Sequence, residues 1–204
     1  MFDTERLHFE AWTRAMADFG YSASWEVYLS SVGLTVQATN QVLREAYGPQ
    51  FLLDATNQRA DEYVWQEVTR RGVPFKPGLR ELLTCLDDIG LPRALASSSS
   101  RSTVGRLLSA AGLLNGFAAT VAGDEVTRGK PAPDIFLRAT ELLGIPPRQC
   151  LVLEDSEAGA RAAAAAGMAC IIVPDLKQPS PEVAALATAV LPDLGAVTAW
   201  FQSD

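Results

Sequence analysis

The sequence predicts an α/β protein: a Rossmann-like, doubly wound parallel sheet preceded by a block of helices. Three observations predict it. Residues before about 72 show apolar positions at helical spacing and no strand pattern. From Pro74 onward, short apolar runs alternate with helical segments across short loops, the pattern of parallel strands joined by helices. Two of those runs end in polar residues, Ser97 to Ser100 and Glu154-Asp155, at the strand ends where open α/β sheets bind ligands.

Each element has a local reason. Leu7, Trp12, Met16 and Phe19 fall near one helical face, as do Val42, Leu43 and Tyr47, and later Tyr63, Val64 and Val68. Gly20-Tyr21, Gly33 and Gly48-Pro49 separate these helices. The stretch Arg71-Gly72-Val73-Pro74-Phe75-Lys76-Pro77-Gly78 has the Gly/Pro content of a hinge. After it the chain predicts a helix over 77–86, a strand over 93–96 and a helix over 103–111. A strand over 118–122, a helix over 134–143 and a strand over 150–153 come next. A helix over 156–166, carried by an alanine run, precedes strands over 169–173 and 189–191.

Composition sets the limits. The 204 residues are 48% hydrophobic and 20% charged, an ordinary globular balance. Seventeen Lys and Arg against 24 Asp and Glu leave a net charge of −7, which argues against nucleic acid or an anionic membrane as partner. No apolar run is long enough for a membrane helix and no signal peptide opens the chain. Cys85, Cys150 and Cys170 lack Cys-x-x-Cys spacing and read as buried thiols of a reducing, cytoplasmic compartment. With one histidine and no paired cysteines, any metal must take oxygen ligands, which points to Mg²⁺ rather than zinc.

The polar residues suggest phosphoryl chemistry. Lys130, between Gly129 and Pro131, sits on a loop that can aim it, and a phosphate needs such a cation. On its own it reads as a solvated loop lysine; the acidic pair downstream changes that. Glu154 and Asp155 repel one another unless a cation lies close, though they also suit a helix N-terminus, where Asp155 or Ser156 can cap. Ser97, and beside it Ser98, Ser99 and Ser100 with Arg101, can offer hydroxyls, N–H groups and a charge, or simply make a turn and an N-cap.

Ala94-Leu95-Ala96-Ser97, Lys130 in Gly129-Lys130-Pro131-Ala132-Pro133-Asp134, and Glu154-Asp155 in Leu153-Glu154-Asp155-Ser156 carry a resemblance. In order and spacing they resemble motifs of the haloacid dehalogenase superfamily, particularly its β-phosphoglucomutase-like phosphatases and mutases. The resemblance implies a helical cap over 5–73 inserted into a core made of 1–4 and 74–204. It implies catalytic roles for Ser97, Lys130 and Asp155, phosphate or substrate contacts from Ser97, Ser98, Ser99, Lys130, His8 and Arg59, and Mg²⁺ on Asp155 with Glu154. It also implies an Asp-x-Asp nucleophile loop on a central strand. The chain opens Met1-Phe2-Asp3-Thr4-Glu5, which matches the segment just after that loop, so this strand and its nucleophile are expected to be missing. An internal methionine taken as a start, or a shortened inactive paralogue, would account for it.

The function expected is Mg²⁺-dependent hydrolysis of a small phosphorylated metabolite, a sugar or polyol phosphate, by a monomer. A phosphomutase and a non-catalytic phosphometabolite binder are the alternatives. The mutase is disfavoured because no cation stands at Leu34, Thr35 or Val36, where the cap of such an enzyme grips a second phosphate. A dehalogenase is disfavoured by the acidic pair, since its chemistry needs no metal.

Overall fold

The computed structural model describes residues 1–32 and 36–203, with the backbone alone at 36 and 37. The expectation about Leu34, Thr35 and Val36 therefore lies outside what is described. The chain divides into two compact units, Met1–Phe75 and Lys76–Asp204.

The first unit is helical: α1 (Glu5–Asp18), α2 (Trp25–Ser31), α3 (Val36–Tyr47) and α4 (Leu53–Arg71). Helices α1 and α4 make its main packing, with Ala15 and Met16 of α1 fully enclosed among Trp12, Leu43, Phe51, Val64 and Val68. Met16 alone contributes roughly 1.5–3 kcal/mol by leaving water. Phe19, expected on the apolar face, instead caps the end of α1 and is exposed, because the helix stops one residue before it. Residues 1–4 and 74–75 were expected with the α/β body. They pair with one another through the Phe2–Phe75 bridge and a bond from Asp3 N–H to the Pro74 carbonyl, and so group with the helices.

The second unit is the α/β body. In chain order it runs α5 (Leu79–Asp88), β1 (Ala94–Ala96), α6 (Arg101–Ala110), β2 (Ala119–Val121), α7 (Asp134–Leu143), β3 (Leu151–Glu154), α8 (Glu157–Ala165), β4 (Ala169–Ile172), α9 (Pro181–Ala184), β5 (Ala189–Val190) and α10 (Leu194–Gln202). Every strand pairing among the named strands is parallel, as the strand–helix alternation predicts. The strands form two sheets, β1–β2 and β3–β4–β5, so β1 and β3 each keep one unpaired edge among the described residues. One core nonetheless serves both: Val121 of β2, Ile135 and Phe136 of α7, Val152 of β3 and Ile172 of β4 share a buried cluster. Helices α9 and α10 had no strong periodic signal in the sequence; α10 is held by packing on α5.

Helix α8 lies close to β3 and β4 because its inward residues are small: Ala160, Ala162 and Ala163 are at most 1% exposed. Among the described residues no helix is long and apolar enough to cross a membrane. All three cysteines are free, with Cys85 and Cys170 buried and Cys150 half-buried.

Candidate active site

Polar residues come directly after the apolar strands. Ser97 is the residue after β1, Glu154 ends β3, and Asp155 is next in the chain. Lys130 joins the two sheets at these ends. Its Nζ lies 3.4 Å from the Ala96 carbonyl at the end of β1 and pairs with Oε1 of Glu154 at the end of β3. Both side chains are nearly enclosed, at 10% and 8% exposure. The Phe136 ring lies beneath the ammonium, 4.8 Å from its centroid. An ammonium has three N–H donors, so one remains beyond Glu154 and Ala96 for a ligand oxygen.

Glu154 is fully engaged. While Oε1 holds Lys130, Oε2 accepts the Ser156 hydroxyl at 2.9 Å and the N–H groups of Asp155 and Ser156 at 3.3 Å each. Ser156 also caps α8, its Oγ accepting from Gly159 N–H at 3.1 Å. A Cβ at position 159 would stand 2.0 Å from the Glu154 carboxylate, so only glycine leaves that carboxylate its place. Behind the pair, burial first and the Glu154 charge second push the Cys170 thiol up to about 12, which keeps it an inert, neutral neighbour.

Asp155 contrasts with its neighbour. The residue is exposed to solvent, where the Glu154 side chain is nearly enclosed. Protein nevertheless crowds round it. Lost hydration, and then repulsion from Glu154, hold its carboxyl above the ordinary aspartate range. A nearby cation relieves both effects. The donor is a hard carboxylate open to solvent, the kind Mg²⁺ takes together with waters and one or two further oxygens. No cluster of three or more potential metal ligands forms among the described residues.

The serine loop is built by hydrogen bonds. Ser97 N–H extends the β1–β2 ladder to the Val121 carbonyl at 3.0 Å, and its Oγ accepts Ser99 N–H at 3.2 Å, leaving the hydroxyl hydrogen to donate. Gly123 N–H holds the Ser99 carbonyl at 2.8 Å, and Ser100 caps α6 through Thr103 N–H. Arg101 does not add a cation to the loop, because Glu125 and the Thr120 carbonyl take its guanidinium.

The family model for haloacid dehalogenase-like hydrolases matches residues 1–167, a span that includes Ser97, Lys130, Glu154 and Asp155. The chain belongs to this hydrolase family. As a haloacid dehalogenase-like hydrolase it is 32% identical to CbbY of Rhodobacter capsulatus over 213 aligned residues, covering 94% of this chain and 93% of that protein. A Thermotoga maritima structure assigned as a β-phosphoglucomutase matches with a TM-score of 0.83 at 26% identity, covering 100% of this chain and 94% of the other. A variant of CbbY from Rhodobacter sphaeroides, in complex with xylulose-1,5-bisphosphate, matches with a TM-score of 0.77 at 26% identity, covering 96% and 90%. Membership of the family makes the chain a hydrolase by kinship.

Of the residues expected at the hydrolase site, Lys130 and Glu154 meet directly, and Ser97 and Asp155 stand at the two strand ends they join. Ser98 and Ser99 are exposed on the same loop. His8 and Arg59 belong to the helical unit. Arg59 is held there by Asp18 at 2.9 Å and Glu62 at 2.9 Å. Sequence reasoning missed Gly159 as the space for Glu154, and read Ser156 only as a cap. The Glu-Asp-Ser-x-x-Gly spacing was the available signal, since a cap residue and the N–H it serves lie three apart.

Proposed function

We propose that the protein is a Mg²⁺-dependent phosphatase of a small phosphorylated metabolite, of the sugar or polyol phosphate class, working in a reducing cytoplasm. The observation that carries this is the division of labour at the strand ends. Lys130 is neutralised and aimed by Glu154, while Asp155 is left open. The xylulose bisphosphate held by the CbbY relative supports the substrate class.

Lys130 directs its remaining N–H and its charge at a phosphoryl oxygen, and Ser97 donates its hydroxyl to a second. Asp155 would hold the metal directly, and Glu154 serves it only by placing Lys130. When bound, Mg²⁺ supplies charge to offset what builds up on the transferring phosphoryl group. In-line attack at phosphorus also needs a nucleophile, which on a covalent route is a carboxylate. By the family resemblance this comes from an Asp-x-Asp segment on a further strand, and the unpaired edges of β1 and β3 suit one more parallel strand. His8 and Arg59, and Ser98 and Ser99, are proposed as outer substrate contacts.

The test is phosphate release from a panel of phosphorylated metabolites, with and without Mg²⁺, on the chain joined to an Asp-x-Asp strand. Asp155→Asn should abolish the Mg²⁺-dependent rate. Lys130→Ala should lower it about 100- to 1,000-fold. Turnover that survives either change would overturn the assignment, and a sugar-phosphate isomer accumulating without free phosphate would favour a mutase.

A further inference from the structure

A second buried ion pair stands near the site and has no part in the chemistry above. Lys76 is only 8% exposed, and its Nζ lies 2.8 Å from Oδ1 of Asp175. The backbone that presents Lys76 is fixed: Gly78 has φ of +81° and packs so tightly that a Cβ there would meet the Gly195 nitrogen at 2.2 Å. Asp175 is placed by the sheet. Ile172 is in register with Glu154, and Val173 N–H donates to the Glu154 carbonyl at 2.7 Å, so the chain after β4 leaves beside the chain after β3. After burial, Glu154 and the N-terminal amine, both charges of the pair act on Asp155, Lys76 favouring its ionised form and Asp175 opposing it.

A buried ammonium stripped of its anion is costly, which favours its turning to another carboxylate within reach. Three carboxylates lie at or after the ends of these two strands: Glu154 closes β3, Asp155 follows it, and Asp175 stands three residues beyond β4. Lys130 and Ser156 already occupy Glu154. Of the three, Asp155 is the remaining carboxylate on which the Lys76 charge acts.

We propose that Lys76 and Asp175 are a positioning pair for Asp155: Asp175 holds the Lys76 ammonium off the Asp155 carboxylate and keeps that carboxylate available to a divalent cation. This rests on the reading of Asp155 as a cation ligand. It makes the two members of one ion pair act in opposite directions, which a purely structural bridge does not do.

Mn²⁺ binding to the 204-residue chain, monitored by the electron spin resonance of the free ion, tests it without reference to turnover. Asp175→Asn should weaken Mn²⁺ binding about three- to tenfold, as Lys76 closes on Asp155. Lys76→Met should tighten it by a similar factor, the double variant should return toward the parent, and Lys76→Arg should match the parent. If Lys76→Met fails to fold, Lys76→Gln carries the same sign. Both single variants shifting the same way, or neither shifting, would overturn the pairing. Asp155→Asn separates the two ideas: if it leaves Mn²⁺ binding unchanged, Asp155 is not the ligand and both readings fall.

Discussion

At the residue scale the site turns on how two adjacent carboxylates came to differ. Glu154 is enclosed by a cation, a hydroxyl and two N–H groups, one of them from Asp155, while Asp155 itself is exposed to solvent. Replacing Glu154 with Gln leaves Lys130 buried without its counter-charge, which should cost about 3–5 kcal/mol in chemical denaturation. A loss below about 1 kcal/mol would mean that water already shares the ammonium. Gly159→Ala should cost about 1–3 kcal/mol by pressing a methyl on the same carboxylate. It should also weaken inorganic phosphate binding, measured by calorimetry, because Lys130 moves with its partner. The sequence made the acidic pair and Lys130 legible but not their pairing. Lys130 and Glu154 lie far apart along the chain, and only the fold brings the end of β1 beside the end of β3.

At the element scale, helices α1 and α4 are tied by a polar cluster over their apolar seam. Asp18 accepts the Tyr63 hydroxyl at 2.5 Å and Arg59 at 2.9 Å, and Arg14 lies over the Tyr63 ring, 3.9 Å from its centroid. The Tyr63 bond first, and Arg59 second, hold the Asp18 carboxyl below the ordinary aspartate range. The lowered value means the folded state binds the proton more weakly than the unfolded one. The bond's stability is therefore fully present above the unfolded value near 3.8 and is lost as pH falls through the folded one. Asp18→Asn should thus lower the melting temperature at pH 7, and the gap to the parent should close in acid. A gap that stays constant with pH would show that the charge does not matter. The apolar spacing that predicts α1 and α4 is the reliable part of their sequence; of the two partners of Arg59, Glu62 stands three residues on in the same helix, while Asp18 is not visible because it lies on another helix.

At the scale of the whole α/β body, the strand–helix alternation foretells the parallel pairings, while the separation into β1–β2 and β3–β4–β5 comes from strand order. Parallel strands pair with neighbours chosen by crossovers, which local periodicity does not encode. The unpaired edges have a measurable signature. Amides of β1 and β3 that point away from β2 and β4 should exchange with deuterium much faster than those within the ladders. Equal protection on both sides would show that something already fills those edges, and adding an Asp-x-Asp strand should slow the fast set.

Helix α8 carries a further consequence. Its inward alanines bring the Ser156 hydroxyl to Glu154, so the site's alignment depends on the absence of side-chain bulk in a region that touches no substrate. A single added methyl there would act like a shim under a machine bed. The helix would lift by a fraction of an ångström, and the Ser156–Glu154–Lys130 chain of contacts would carry the error to the phosphate. Tolerance to mutation in this hydrolase should therefore be poorest along a plain run of alanines, where no chemistry is written.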